Sequence, residues 1–215
     1  MFKMLFATLL ISSFAPGIAA AAAVVVTQTV GQVSDHVITS REVQISYVAE
    51  GILYPAAKAS SAFRELRVEE AEFRKALTAT LLEAVVALEA ENFNVGSVPE
   101  SEVSTGLAAV ERVTAGKSFW NGLEVSPEEL KRLVQRKLIA KSFLKFKTNS
   151  LTGIISDQEA LAYFERNRVK FGNVPFASFK ENIKTYLSQQ QLEERLRSWF
   201  EIIKRKYKVR NYIAE

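Results

Sequence analysis

No cysteine occurs in the 215 residues, and histidine occurs once, at His36. The first absence excludes disulfides and a lipid-bearing cysteine, so the fold must hold together by packing alone. The second leaves no ordinary zinc site, since one histidine without cysteine cannot supply its usual ligands. Also missing are a Gly-x-Ser-x-Gly elbow, a phosphate-cradling loop and a dinucleotide fingerprint. Neither charge is in large excess: the formal net charge is +4. The late basic cluster of Lys204, Arg205, Lys206, Lys208 and Arg210 is expected to be a solvated helix end opposing the helix dipole, not a nucleic-acid footprint.

What is present begins with an amino-terminal segment of secretory plan. Lys3 supplies a charged start, Met4 to Phe14 an apolar run, Pro16-Gly17 a breaker, and Ala19 to Ala23 small residues suited to cleavage. The alanine run leaves the cut open between Ala19 and Ala23. The rival reading is a retained span, because Met4 to Val26 is long enough to cover ~34 Å as a helix. About 190 residues follow the cut, enough for one sizeable core or two small ones. Their mixed composition is globular and not disordered.

Val25 to Val33 has the β-branched content of a strand, Ser34-Asp35-His36 supplies turn residues with His36 on the surface, and Val37-Ile38 makes a brief return strand. Thr39 and Glu42 have capping-box spacing for a helix from about Ser40, with Val43, Ile45, Tyr47, Val48 and Ile52 as its apolar residues and Pro55 as its close. A second helix is predicted over Glu69 to Asn92, where Phe73, Leu77, Leu81, Ala84, Val85 and Leu88 form one stripe. A third runs from Pro99 to about Val113. Ala115 to Val125 reads as a loop carrying an exposed aromatic pair, Phe119-Trp120.

Ser126-Pro127-Glu128-Glu129 opens a fourth helix, which turns Leu130, Leu133, Val134, Leu138 and Phe143 inward and leaves Lys131, Arg132, Arg136, Lys137, Lys141 and Lys145 on a basic outer face. Ser156-Asp157-Gln158-Glu159 caps a short helix. A final one, about Phe176 to Lys206, carries Phe179, Ile183, Tyr186, Leu187, Leu192, Leu196, Phe200 and Ile203 before a possible closing strand at Tyr207 to Ile213. The carboxylate pairs Glu69-Glu70, Glu128-Glu129 and Glu193-Glu194 point about 100° apart on a helix and are expected to be solvated charges. The fold class is mainly α with a small β-sheet formed by the two chain ends.

Two stretches carry a family resemblance. VGQVSDHVITSREV near the start, and VPFASFKENIKTYLSQQQLEERLRSWFEIIKRKYKV near the end, resemble the two halves of the chaperone domain of SurA-type periplasmic folding factors. FRKALTATLLEAVVALEAENFNVGSVPESEV and SPEELKRLVQRKLIAKSFLKF are similar to its middle helices, and SDQEALAYFERNRVKFGN to its linker helix. In that family parvulin prolyl-isomerase modules commonly sit between the halves, whereas here RNRVKFGN leads straight to VPF. After the signal peptide expected over 1–23, the resemblance therefore implies a first chaperone half over 24–148, a linker helix over 149–173 where a parvulin module would sit in the family, and a completing segment over 174–215.

By the same resemblance the chain is a periplasmic holding chaperone for unfolded outer-membrane or secreted polypeptides. It has no catalysis, cofactor, nucleic-acid partner or stable membrane insertion, and a swapped dimer is open to it. Alternatives are a dedicated assembly partner of one envelope protein, or a degenerate peptidyl-prolyl isomerase, although one histidine does not match a parvulin pocket. Tyr47, Tyr54, Phe63, Phe119 and Trp120 lie near helix ends or loops, off the strongest stripes, and are the expected peptide-binding residues.

Overall fold

The computed structural model describes residues 27–55, 64–95 and 97–213. The expected signal peptide, Val25, Val26 and Phe63 lie outside these residues. Among the described residues the protein is mainly helical, with eight helices and a three-stranded antiparallel sheet of order β2-β1-β3.

Strand β1 (Thr29–Val33) turns through Ser34-Asp35 into β2 (His36–Thr39), with Val33 opposite His36 and Ser34 at positive φ. His36 is thus the first residue of β2 and not part of the turn. Helix α1 (Ser40–Leu53) follows without a break because the Thr39 hydroxyl accepts the Glu42 N–H. Only this half of the expected capping box forms, since the Glu42 carboxylate is engaged by His36 and Arg136. Buried Gln44 then anchors the stretch that precedes α2, donating to the Arg64 carbonyl and accepting the Leu66 N–H.

Helix α2 (Ala71–Asn92) lies at the centre of the fold. The predicted stripe is buried from Phe73 to Val85, and Leu88 is half-buried. α3 (Glu100–Thr114) begins after Pro99, which offers no side-chain cap. The expected loop after it contains a short helix, α4 (Ser118–Gly122). α5 (Pro127–Leu151) starts on Ser126, whose hydroxyl accepts the Glu129 N–H. Glu129 is not a free surface charge: it makes a two-pronged ion pair with Arg41, which also donates to the Leu123 carbonyl at 2.6 Å. Glu70 is likewise paired, with Arg64 and Arg67.

α6 (Asp157–Arg166) carries the complete capping box expected at Ser156 and Glu159. α7 (Arg168–Phe171) and a 3-10 turn (Phe176–Ser178) lead into α8 (Lys180–Lys206), which starts four residues later than predicted because Phe176 to Ser178 is wound more tightly. Strand β3 is shorter than expected, only Arg210–Asn211.

Three apolar clusters hold these elements. The main one joins Val30, Val33 and Ile38 of the sheet to Phe73, Leu77 and Val85 of α2, Phe143 of α5, and Trp199 and Ile203 of α8. A second lies on the other side of α1, where Ile45 and Ala49 meet Val110, Leu130 and Val134. Both faces of α1 are therefore covered, which explains its weak apolar/polar segregation. A third, separate cluster of Ile155, Ala160, Phe164 and Ile183 binds α6 to the first half of α8. Trp199 sits in the main core against Phe143, a position absent from the expected stripe.

The chain ends meet at β1. Gly31 and Gln32 pair with Asn211 and Arg210, the Ser34 N–H donates to the Tyr207 carbonyl at 2.7 Å, and the Tyr212 N–H donates to the Val30 carbonyl at 2.9 Å. The Tyr207 hydroxyl donates to Glu89 of α2, and Lys206 pairs with the same carboxylate, so the basic cluster is not wholly solvated. A Cβ at Gly31 would lie 2.9 Å from the Arg210 carbonyl oxygen and 3.0 Å from Leu81, so glycine is what permits β3 to approach. Gly31→Ala is expected to lower the unfolding free energy by about 1–3 kcal/mol in urea titration. Gly122→Ala, with open space around its Cβ, is expected to stay within about 0.5 kcal/mol of wild type.

Candidate functional site

Helices α1, α2 and α5 do not close completely over one another. Between them runs a groove of about 500 Å³, to whose lining α8 contributes Phe200. The floor is small: Ala76, Ala79 and Thr80 follow one another on a face of α2, and Ala140 faces them from α5. Small residues at a helix contact leave room that neighbouring large side chains wall in. Those walls are Tyr47 and Tyr54 of α1 and Leu144 of α5.

The two tyrosines are held differently. The Tyr47 hydroxyl donates to Glu72 at 2.8 Å, which fixes its ring against the groove. The Tyr54 ring carries the Lys141 ammonium 3.5 Å above its centre, close enough for a cation–π attraction. Its hydroxyl is buried and makes no hydrogen bond among the described residues. Burial, reinforced by the carboxylates of Glu50, Glu83 and Glu102, pushes this hydroxyl up to about 12. It therefore remains an O–H donor at any ordinary pH.

The polar end of the groove is an ion-pair chain that crosses three helices. Lys137 is 3% exposed, and its ammonium donates to Glu83 of α2 at 2.5 Å and Glu50 of α1 at 3.0 Å. Arg136 joins Glu83 at 2.8 Å and Glu42 at 2.6 Å, and Glu42 accepts from His36 at 3.1 Å. Arg136 and Lys137 were expected on a solvated basic face. They are instead drawn inward, where Glu42 and Glu50 of α1 and Glu83 of α2 converge on them. Burial alone raises the Glu42 carboxyl, but hydrogen bonds from His36 and Arg136 outweigh it and hold the group below its ordinary value of 4.5.

Phe63 lies outside the described residues, and the other four expected peptide-binding residues do not share one pocket. Tyr47 and Tyr54 share the groove. Phe119 lines a different depression, of about 550 Å³, with Leu66, Phe73 and Leu123. Trp120 is half-buried and rests on the cluster of Ile45, Val110 and Leu130. The pair is not exposed, because α4 turns its two rings in different directions against the body. Sequence reasoning missed Ala79, Lys137, Lys141, Leu144 and Phe200. The signal for this lining was present: Ala76, Ala79 and Thr80 are spaced by three and four, so they share a small-residue face of α2 that borders the Phe73 stripe.

Among the described residues no group of His, Asp and Glu could hold a metal ion, and no helix is long and apolar enough to cross a membrane. No family model matches the chain, and no curated protein or solved structure matches it either.

The ion-pair chain generates two expected outcomes. Lys137→Met leaves Glu50 without its cation and strips one of two from Glu83, and should cost about 3 kcal/mol, measured by urea unfolding. The Glu42 carboxyl, lowered in the folded state, contributes stability that is complete above about pH 4.5 and is lost as pH falls through its folded value. Thermal unfolding followed from pH 7 down to pH 3 should show that acid loss, and Glu42→Gln should flatten it.

Proposed function

We propose that this protein is a holding chaperone of SurA type, exported to the periplasm, that shelters unfolded outer-membrane or secreted polypeptides in the groove between α1, α2 and α5 without catalysis. The groove is the observation that carries this reading: an open trough with alanine at its base, tyrosine, leucine and phenylalanine at its sides, and its charges paired off at one end. Lys137 and Lys141 balance Glu50 and Glu83, so the trough has little net charge to select a client by sign. Burial of apolar surface is non-directional, which suits segments of varied sequence. One seated leucine or phenylalanine contributes about 1.5–3 kcal/mol, and association itself costs several kcal/mol. Binding of one or two such side chains is then weak and reversible, as a chaperone needs.

Two further features support the family reading. The pairing of β1 with β3 joins remote chain ends in the manner the resemblance implies. The chain also passes from α7 through Gly172-Asn173 directly to the turn before α8, which fits the reading that α6 and α7 are the linker and that the isomerase module the family commonly carries after it is missing.

The test is aggregation of an unfolded β-barrel protein after dilution from urea. Wild type at stoichiometric amounts should suppress light scattering. Ala79 is exposed at the groove floor, so Ala79→Trp should fill the trough with little effect on stability and weaken suppression at least about tenfold, a loss of 1.4 kcal/mol or more. Absence of suppression by wild type, or full suppression by Ala79→Trp, contradicts the proposal.

A further inference from the structure

The third cluster carries a surface that the groove does not use. Asn167 to Val174 forms a closed tip at the end of α6: the Lys170 N–H donates to the Asn167 carbonyl at 2.8 Å, and the Arg168 guanidinium donates to the Val174 carbonyl at 2.9 Å. At the crown of this tip Val169 is 97% exposed, and Val174 is also exposed. Arg166, Arg168 and Lys170 surround it, all exposed. Among the described residues none of the three makes an ion pair, whereas nearby Lys180 and Lys184 are both taken up by Asp157.

The tip is also braced from beneath. Phe171 meets Phe164 at 4.9 Å and Phe179 at 5.1 Å, and Arg168 lies 4.7 Å over the Phe164 ring. An aromatic base of this kind holds Val169 outward instead of letting it fold back onto the protein. Three uncompensated cations within five residues, around an aliphatic crown, match a surface that is anionic at its face and apolar just below it.

We infer that the Arg166–Val174 tip docks reversibly on an anionic lipid bilayer, with Val169 entering the headgroup region and Arg166, Arg168 and Lys170 meeting lipid phosphates. A polyanion with no apolar layer, such as a nucleic-acid backbone or polyglutamate, would answer the cations but leave the valine in water, whereas the lipid surface fits both features. Ile183, in the third cluster, and Phe200, at the groove, are separated by about 25 Å along α8 at 1.5 Å per residue. Docking through the tip therefore leaves the groove unobstructed.

The absence of cysteine makes a direct test available. Val169→Cys in the full chain takes an environment-sensitive dye at one position only. With vesicles of phosphatidylcholine plus phosphatidylglycerol, the dye should shift to the blue, and the shift should vanish in high salt or with phosphatidylcholine alone. Affinity should fall about fivefold for each cation removed in Arg166→Gln and Lys170→Gln, and fall again in Val169→Ser at unchanged charge. A dye that stays in water overturns the inference, whether or not the chain sediments with the vesicles, because binding would then run through another segment such as the amino terminus. An equal blue shift with duplex DNA or polyglutamate overturns it as well, showing a general polyanion site. Suppression of aggregation without vesicle binding refutes the tip and leaves the groove untouched.

Discussion

The pairing of β1 with β3 decides where α8 lies, and most of the remaining architecture follows from that placement. A 27-residue helix with polar middle turns cannot bury itself; it needs to be fixed at both ends. At its carboxyl end the fixing is done by backbone hydrogen bonds from Ser34 to Tyr207 and from Tyr212 to Val30, and by Glu89 holding both Tyr207 and Lys206. At its amino end it is done by Ile183 against Ala160 and Phe164. Once α8 is so held, Trp199 completes the main core and Phe200 joins the lining of the groove. Gly31 is the smallest part of this arrangement and the least replaceable, because a β-carbon there would stand in the path of β3.

Helix α5 has a second organising role. Its alternate faces serve two cores, and between them Arg136 and Lys137 reach carboxylates on α1 and α2. Buried charges add little net stability once their desolvation is counted, but they punish any misplacement of their partners. The chain from His36 through Glu42, Arg136, Glu83 and Lys137 to Glu50 accordingly sets the register of three helices around the trough. The groove stays open because the residues lining its floor are alanine and threonine, and its width follows from how the ion pairs space the helices.

Much of this architecture was legible in the sequence wherever a local rule was strong. The caps at Thr39, Ser126 and Ser156 begin helices as their spacing demands, and the Phe73 to Val85 stripe is buried as its period requires. The joining of the chain ends was also anticipated, although β3 is reduced to two residues. What local rules do not carry is partner choice. Lys137 looks like any helix-surface lysine until Glu83 and Glu50 are brought within 3.0 Å of it from helices far away in the chain. Phe119 and Trp120 looked too large for a loop, and the protein resolves that by winding them into α4 and pressing them against different parts of the body. Of the candidate site, the α1 wall was visible through Tyr47 and Tyr54, while the α2 floor and the α8 contribution depended on packing between distant segments.

If the trough is where clients lie, a reactive group placed in it must meet them. A photo-crosslinking residue at Ala79, irradiated with an unfolded β-barrel protein, reports this directly, with the same group at exposed Lys131, outside the groove, as the comparison. The account predicts covalent adducts from position 79 and none above background from position 131. Equal adducts from both positions, or adducts from position 131 alone, would contradict it.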